Sequence, residues 1–410
     1  MRLATSSIHA LGYAAISKGQ SDVYRLQAQF ASQKRINSAA DDPSGASRAA
    51  ELTSAKAVSD QYSRNQTSAQ GTLQYNESLV GDVGDLMQSI QETLLQAGNG
   101  ALSTSDRAQL ATQLRSQRDQ MVNLANSRDA SGRYLFAGFN ENVAPFQLNN
   151  TGVDYFGDNG HKSLQVSSAV SMPISVSGSD LFLGVKGGNG VIQTAATAAN
   201  TGNGKVDGGR VLDATGYDGA NYSVAIVNGS AGLEVQITNT TTSTVVSSGT
   251  PYKDGQAISI PATAGSAAVL SISVSGTPKA GDTFTVGAAQ PTNIFDSMTT
   301  AIDAIEAGNK GTLSSAAVSD TLRQVGANVS QAFDRSLEVR NHFGSSMQEL
   351  ERQQGVTERE TDDLKARISD IVDLDPAKAA TELAQAQVAL SSSQQIYAGL
   401  AKQSLFDYLK

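Results

Sequence analysis

Three histidines, His9, His161 and His342, are the only imidazoles in 410 residues, and they fall in three separate regions of the sequence. No His-Glu-x-x-His or comparable ligand spacing joins them, so zinc hydrolysis has no support. Cysteine is absent, which removes disulfides, thiolate nucleophiles and Cys-ligated zinc or iron–sulfur sites together. Gly202-Asn203-Gly204-Lys205 looks like the end of a phosphate loop. Ala199, however, stands where the first Gly of such a loop is required, and Val206 replaces the Ser or Thr that would hold magnesium. Gly187-Gly188-Asn189-Gly190 lacks the Asp that follows in a calcium-binding β-roll repeat. Both read as turns. The acids Glu358, Glu360, Asp362 and Asp363 alternate with Arg359, Lys365 and Arg367 as on a solvated helix face. No nucleophile–base pair is detectable along the chain, which leaves only a triad assembled from distant residues open. The chain reads as non-enzymatic, with no cofactor and no metal.

Composition points the same way. Thirty basic against 39 acidic residues give a formal charge of −9, with no basic excess to neutralise phosphates, so nucleic acid is excluded as a partner class. Trp is absent and aromatics are 5% of the chain, poor material for a small-molecule pocket. No stretch approaches the roughly 18 apolar residues of a membrane span. Thr, Ser and His interrupt the apolar residues of the first nine positions, so no cleavable secretory signal is expected there. The protein either stays in the cytoplasm or leaves by a route that reads no such signal.

Charge and glycine divide the chain in three. Residues 1–140 hold 12 acidic and 13 basic residues and residues 291–410 hold 17 and 11; the middle 150 hold 10 and 6, with 22 of the 38 glycines. In the first flank Leu52, Ala55, Ser59, Tyr62, Gln66, Ala69 and Leu73 open a stripe that continues to Leu94 in unbroken steps of three and four, the spacing of a coiled-coil seam. Gly98-Asn99-Gly100 stops that helix, and Ser103-Thr104-Ser105-Asp106 is a capping box for the next, striped Leu110, Leu114, Gln117, Met121 and Leu124. The other flank repeats the alternation from Leu322 to Leu350. Asp42-Pro43 and Asp375-Pro376 each set an N-cap acid before a Pro at the first helical position. Outside these marks lie two further helical segments, with Ile8, Leu11, Val23 and Leu26 on one stripe and Leu383, Leu390, Tyr397 and Leu400 on the other.

Those two stripes are narrow and diluted with Ala, Gly and Ser. Their burial does not offset the roughly 1–2 kcal/mol per residue of ordering entropy, so the two segments are expected to be loose in a free monomer and ordered where copies pack together. The eight residues just named are therefore the candidate assembly interface. The middle alternates apolar and polar residues in Tyr222–Val227, Leu233–Ile237 and Val269–Val274, between Gly-containing turns, which reads as antiparallel β. The fold class is α+β: a long helical coiled coil or bundle built from both termini, with an inserted antiparallel β domain. The expected domains are 1–41 plus 375–410 (terminal coiled coil), 42–149 plus 289–374 (rod-like core) and 150–288 (outer insert).

Three stretches are specific enough to carry a family. Gln33-Lys34-Arg35-Ile36-Asn37-Ser38-Ala39-Ala40-Asp41-Asp42-Pro43-Ser44-Gly45 resembles the amino-terminal signature of bacterial flagellins and their relatives. Tyr134-Leu135-Phe136-Ala137-Gly138-Phe139 with Pro145-Phe146, and the end Ser404-Leu405-Phe406-Asp407-Tyr408-Leu409-Lys410, resemble the hook–filament junction branch of that family. Ser89-Ile90-Gln91 stands where filament flagellins commonly carry Arg-Glu-Leu. The likeness covers residues 1–150 and 290–410; the β middle resembles nothing named. The resemblance implies paired terminal helices as an inner coiled coil, a rod of long helices, and an outward insert. It further implies export by the flagellar type III route with a chaperone on the carboxy-terminal helices, and a place in a ring of identical copies. The implied neighbours are another hook-associated protein on the hook side and flagellin on the filament side, with neither membrane nor nucleic acid. The alternatives are a filament flagellin and a secreted adhesin whose β domain is a binding module.

Overall fold

The computed structural model describes residues 5–149 and 152–408, and the side chains of residues 7, 9–149 and 152–399. Six helices frame it: α1 (Thr5–Ser32), α2 (Pro43–Ala97), α3 (Thr104–Ala125), α4 (Ile294–Asn309), α5 (Ser315–Val372) and α6 (Pro376–Tyr408). Among the described residues fifteen strands lie between Phe146 and Thr292, in antiparallel pairs. Helices from both ends and a central antiparallel β region give the α+β class that the sequence implies. The chain forms two compact units, one of residues 1–67, 166–169 and 351–410, the other of residues 68–165 and 170–350.

In the first unit α1 lies along α6, and the early part of α2 lies along the late part of α5. The α2 seam is polar here: Ser59 Oγ and Thr361 Oγ1 are 2.8 Å apart, and the buried Gln66 amide donates to Thr357 Oγ1 and to the Val166 carbonyl. Leu52 is half-buried and Ala55 exposed, so the stripe begins to bury at Ser59 rather than at its first member.

In the second unit the seam is dry. Leu73, Val80, Val83, Met87 and Ile90 on α2 face a core that also takes Val325, Val329, Ala332 and Phe343 from α5, each nearly or fully buried. Ser103 and Asp106 form the capping box of α3. Helix α4 was not marked by the sequence stripes. It is N-capped by Asn293, packs along α3 and buries Phe295, Met298, Ala301 and Ile305.

The insert is a sandwich. Strands Thr244–Pro251, Gly232–Asn239, Tyr222–Gly229, Thr283–Ala288 and Ile192–Ala196 make one sheet in that order; Ala257–Pro261 and Ala268–Ser275, with two short partners, make the other. Val224, Ile226, Ile272, Val274 and Phe284 fill the space between them. The outer edge of strand Ile192–Ala196 is not left bare. The Ala196 N–H donates to Asp320 Oδ2 and Arg323 donates to the Thr194 carbonyl, so side chains of α5 satisfy backbone groups that an open edge would present to another strand.

Candidate assembly surface

The flagellin-like signature folds as a clasp between the two chain breaks. Helix α1 ends at Ser32 and α2 starts at Pro43, while α5 ends at Val372 and α6 starts at Pro376. Between those breaks the Arg35 N–H donates to the Val372 carbonyl at 2.7 Å and the Leu374 N–H to the Gln33 carbonyl at 3.1 Å. Lys34 and Asp373 pair as an isolated antiparallel bridge. The Arg35 guanidinium donates from Nε and Nη2 to the Ile371 carbonyl, a cation at the carboxy-terminal end of α5 where unsatisfied carbonyls carry partial negative charge. Gln33 holds a left-handed φ of 56°, a costly conformation for a side-chain-bearing residue that points to a local constraint.

Two acids brace the clasp from the other side. Asp41 accepts the N–H groups of Asn37 and Ser38, and the Ser38 N–H leads in holding its carboxyl below the usual range. Asp42 accepts from the Gly45 N–H, Ser44 Oγ and Arg35, which lower its pKa in the same direction. A Cβ at Gly45 would sit 2.4 Å from Asp42 Oδ2 and 2.7 Å from Ile36 Cδ1, so a side chain here would have to displace both groups. Asp375 accepts from the N–H groups of Ala377 and Lys378, which is the N-cap expected before Pro376.

From the clasp α1 and α6 run as a pair. Of the candidate interface residues, Val23 and Leu26 are buried, Leu383, Leu390 and Tyr397 are half-buried, and Leu11 is 66% exposed. The side chains of Ile8 and Leu400 lie outside the described residues. Two glycines set the approach of the helices: Gly12 lies under the Tyr397 ring and Gly19 under Leu390. His9 meets Tyr397 edge-on at 5.9 Å. Val23, Leu26, Leu390 and Tyr397 close the seam of the pair itself, with Gly12 and Gly19 beneath the last two.

The sequence reading missed a second set of apolar groups. Tyr13, Tyr24, Val388 and Ile396 are 65–71% exposed. Leu11 and Tyr13, two positions apart, stand roughly 200° apart around α1. The pair therefore shows apolar surface on more than one side. Charge is sparse on it: Lys18, Asp22 and Arg25 are the only charged residues among the 28 of α1, and Lys378, Glu382, Lys402 and Asp407 among the 33 of α6. Among the described residues, Tyr13, Tyr24, Val388 and Ile396 are left largely uncovered.

The Tyr134–Phe139 motif has a packing role. Phe136, Phe146, Phe182 and Phe295 form one aromatic cluster with centroid separations of 5.2–5.6 Å. The Asn126 side chain brackets Phe146, donating to its carbonyl and accepting from its N–H. Gly138 turns the chain at φ 68°, with Asp158 so close that a Cβ would meet its carboxylate at 2.1 Å.

Two of the three histidines, distant in sequence, come to one place. His161 and His342 line a cavity of about 530 Å³ with Asp180, Arg335 and Glu338. There Ser177 Oγ donates to Asp180 Oδ2 and His161 Nε2 lies 3.2 Å from the same oxygen. The carboxylate stands in the middle of that series, where nucleophilic relay requires the imidazole. Ser177 is fully buried. Among the described residues no group of three or more His, Asp or Glu is arranged to hold a metal.

Comparison with known proteins follows this geometry. A family model for the bacterial flagellin N-terminal helical region matches residues 5–141, and one for the bacterial flagellin C-terminal helical region matches residues 327–409. Flagellar hook-associated protein 3 of Salmonella typhimurium is 38% identical over 182 residues, 44% of this chain and 57% of that protein. Its Escherichia coli namesake is 34% identical over 201 residues, 49% of this chain and 62% of that one. The chain thus spans about three-fifths of the length of these relatives. A crystal structure of Xanthomonas campestris FlgL superposes with a TM-score of 0.69 at 30% identity, over 78% of this chain and 99% of that one. The flagellar junction protein FlgL of Legionella pneumophila gives 0.69 at 24% identity, over 80% and 100%, a likeness of fold.

Proposed function

We propose that this chain, which belongs to the bacterial flagellin family, is a structural axial protein of the flagellum: the adapter at the hook–filament junction on which the filament assembles. The observation that carries the reading is the α1–α6 pair, poor in charge and apolar on more than one side. A pair of that kind is completed by neighbours that bring like helices. In this reading copies of the chain stand in a ring, with another hook-associated protein on the hook side and flagellin on the filament side. The chain is secreted through the flagellar type III route, and an export chaperone covers the carboxy-terminal helices beforehand. The insert faces outward, and no catalytic step is assigned to it.

Deletion of the gene should leave hooks without filaments, with flagellin shed into the medium. Electron microscopy of flagella and immunoblotting of the supernatant read both outcomes. Full-length filaments on the deletion strain overturn the adapter reading. Thousands of copies per flagellum, in place of a ring's worth, would identify a filament flagellin instead.

A further inference from the structure

Among the described residues the sandwich of the insert has four sheet edges, and they are protected unequally. Side chains of α5 cover the strand Ile192–Ala196. Lys205–Val206 and Arg210–Val211 are two residues each, too short to template a partner. The other two edges, Thr244–Pro251 and Ala257–Pro261, lie near each other on one side of the sandwich. Among the described residues each pairs with one strand only, Gly232–Asn239 and Ala268–Ser275 respectively. Between them a cavity of about 460 Å³ reaches Val235, Ile237 and Val246 of the core. Thr244–Pro251 is the longer edge at eight residues, and the N–H and C=O groups along such an edge are a template for another strand.

No charge guards this edge. Residues 235–278 contain Lys253 and Asp254 and no other charged residue, where the 17% of the whole chain would place about seven. In a chain of net charge −9, two copies meet at least cost where neither brings charge. The strand opens Thr-Val-Val-Ser-Ser, with Val245 48% exposed, residue types that suit a sheet and pair well with their own kind. It is also extended already, so a second copy supplies a partner strand with no segment left to order. We propose that two copies of this chain pair through this edge, antiparallel about a two-fold axis. The contact joins their five-stranded sheets into one continuous sheet and brings the two core cavities together at the axis. Gly249 bends the strand at φ 76° and the register shifts on both sides of Ile237, which limits the contact to residues 244–248. Glu234, opposite Pro251, stays outside it. A contact of that length is weak, with a dissociation constant of about 0.1–1 mM. A two-fold pair is closed in itself and builds no ring, so the inference does not rest on the adapter reading.

Disulfide cross-linking of the purified full-length chain tests this, because the chain has no cysteine of its own. Cysteine is placed singly at Thr244, Val245, Val246, Ser247 and Ser248. Two-fold symmetry sets one residue of the strand opposite its own copy, with Cα atoms about 4.5–5.5 Å apart and within disulfide range. Positions one step to either side stand roughly 8 Å from their copies, beyond that range. Under mild oxidation at about 0.1 mM chain, one variant should form dimers at least about tenfold faster than the other four. Adding Val245→Lys, or Ser247→Lys where 245 is itself the linked position, should slow that variant at least about tenfold at low salt. Neither side chain is buried, so the melting curve of the lysine variant should match that of its parent. Equal rates at all five positions, no dimer at any of them, or linking indifferent to the lysine would each overturn the inference; the second outcome would leave the edge to a strand of a different protein.

Discussion

Replacing Gly12 by Ala changes sign with its neighbour, which makes the seam testable. Inside a helix Gly is about 1 kcal/mol worse than Ala, so on propensity alone Gly12→Ala stabilises α1. The space is already taken. The new Cβ would stand 2.6 Å from Tyr397 Cδ2 and 3.2 Å from Cε2, well inside ordinary van der Waals contact. The ring must swing out, losing roughly half of the 1.5–3 kcal/mol that burying a large side chain brings. It also loses its edge contact with His9, worth about 0.5–1.5 kcal/mol for aromatic pairs. The balance is a net loss of about 0.25–2 kcal/mol. In a Tyr397→Ala background the obstruction is gone, and Gly12→Ala becomes favourable by about 1 kcal/mol. The coupling between the two sites is therefore about 1.25–3 kcal/mol, a factor of roughly 8–160 in an equilibrium constant. The readout is binding of purified chain to isolated hooks, measured by co-sedimentation across concentrations, for wild type, both single variants and the double variant. Effects of Gly12→Ala equal in sign and size in the two backgrounds would refute a seam built on that glycine.

Two further outcomes follow from the insert and the clasp. Replacing residues 198–281 by a short Gly/Ser linker should preserve the helical fold and secretion, because Ala196 and Phe284 remain paired and hold the excision points together; removing all of 150–288 should fail in a thermal melt, since it takes away Phe182 of the aromatic cluster and the Val166 carbonyl that Gln66 grips. Acid should open the clasp: the carboxyls of Asp41 and Asp42 have folded pKa values below 3.8, so their stabilisation is complete above that value and is lost as pH falls through the lowered ones. Hydrogen exchange at Asn37, Ser38 and Gly45 should be flat from pH 7 to 5 after correction for intrinsic rates and accelerate only below pH 3.8, and an opening already complete at pH 5 would contradict the assignment.

What the sequence disclosed followed the range of the interaction. A stripe of steps of three and four is local, so α2 and α5 were legible from side-chain type alone, including polar members such as Ser59, Gln66 and Ser336 that are buried as the spacing requires. Ala55 fitted the spacing equally well and is exposed, because periodicity says which face a residue shares and not where a partner helix begins to cover it. The caps at Asp42, Ser103 and Asp375 were legible for the same local reason. Helix α4 carried its own signals, an Asn293 cap and Ile294, Met298, Ala301 and Ile305 at helical spacing, and was passed over beside the longer stripes. The clasp was not legible: Arg35 meets the Ile371 carbonyl across 336 positions, and nothing local marks that pairing. Nor was the outward apolar set, since Tyr13 and Ile396 become informative only once the seam is known to lie elsewhere.

The polar members of the α2 seam gain a meaning from the clasp. A stripe that repeats in threes and fours without interruption offers several pairings displaced by a heptad, all similarly buried. A slip of seven residues moves one helix about 10.5 Å along the other. Arg35 would then be carried away from the Ile371 carbonyl it holds at 2.6 Å, and Gln33 from the Leu374 N–H. Leucines at Ser59 and Gln66 would bury more apolar area, yet would leave the slipped pairings as comfortable as the native one. The Ser59–Thr361 contact and the Gln66–Thr357–Val166 triad exist in one register only, and in any other they leave buried polar groups unpaired at about 1–3 kcal/mol each. The polar positions thus give up apolar burial to keep the two chain breaks level. With the breaks level, α1 and α6 leave the clasp side by side, and the pair has a fixed starting point.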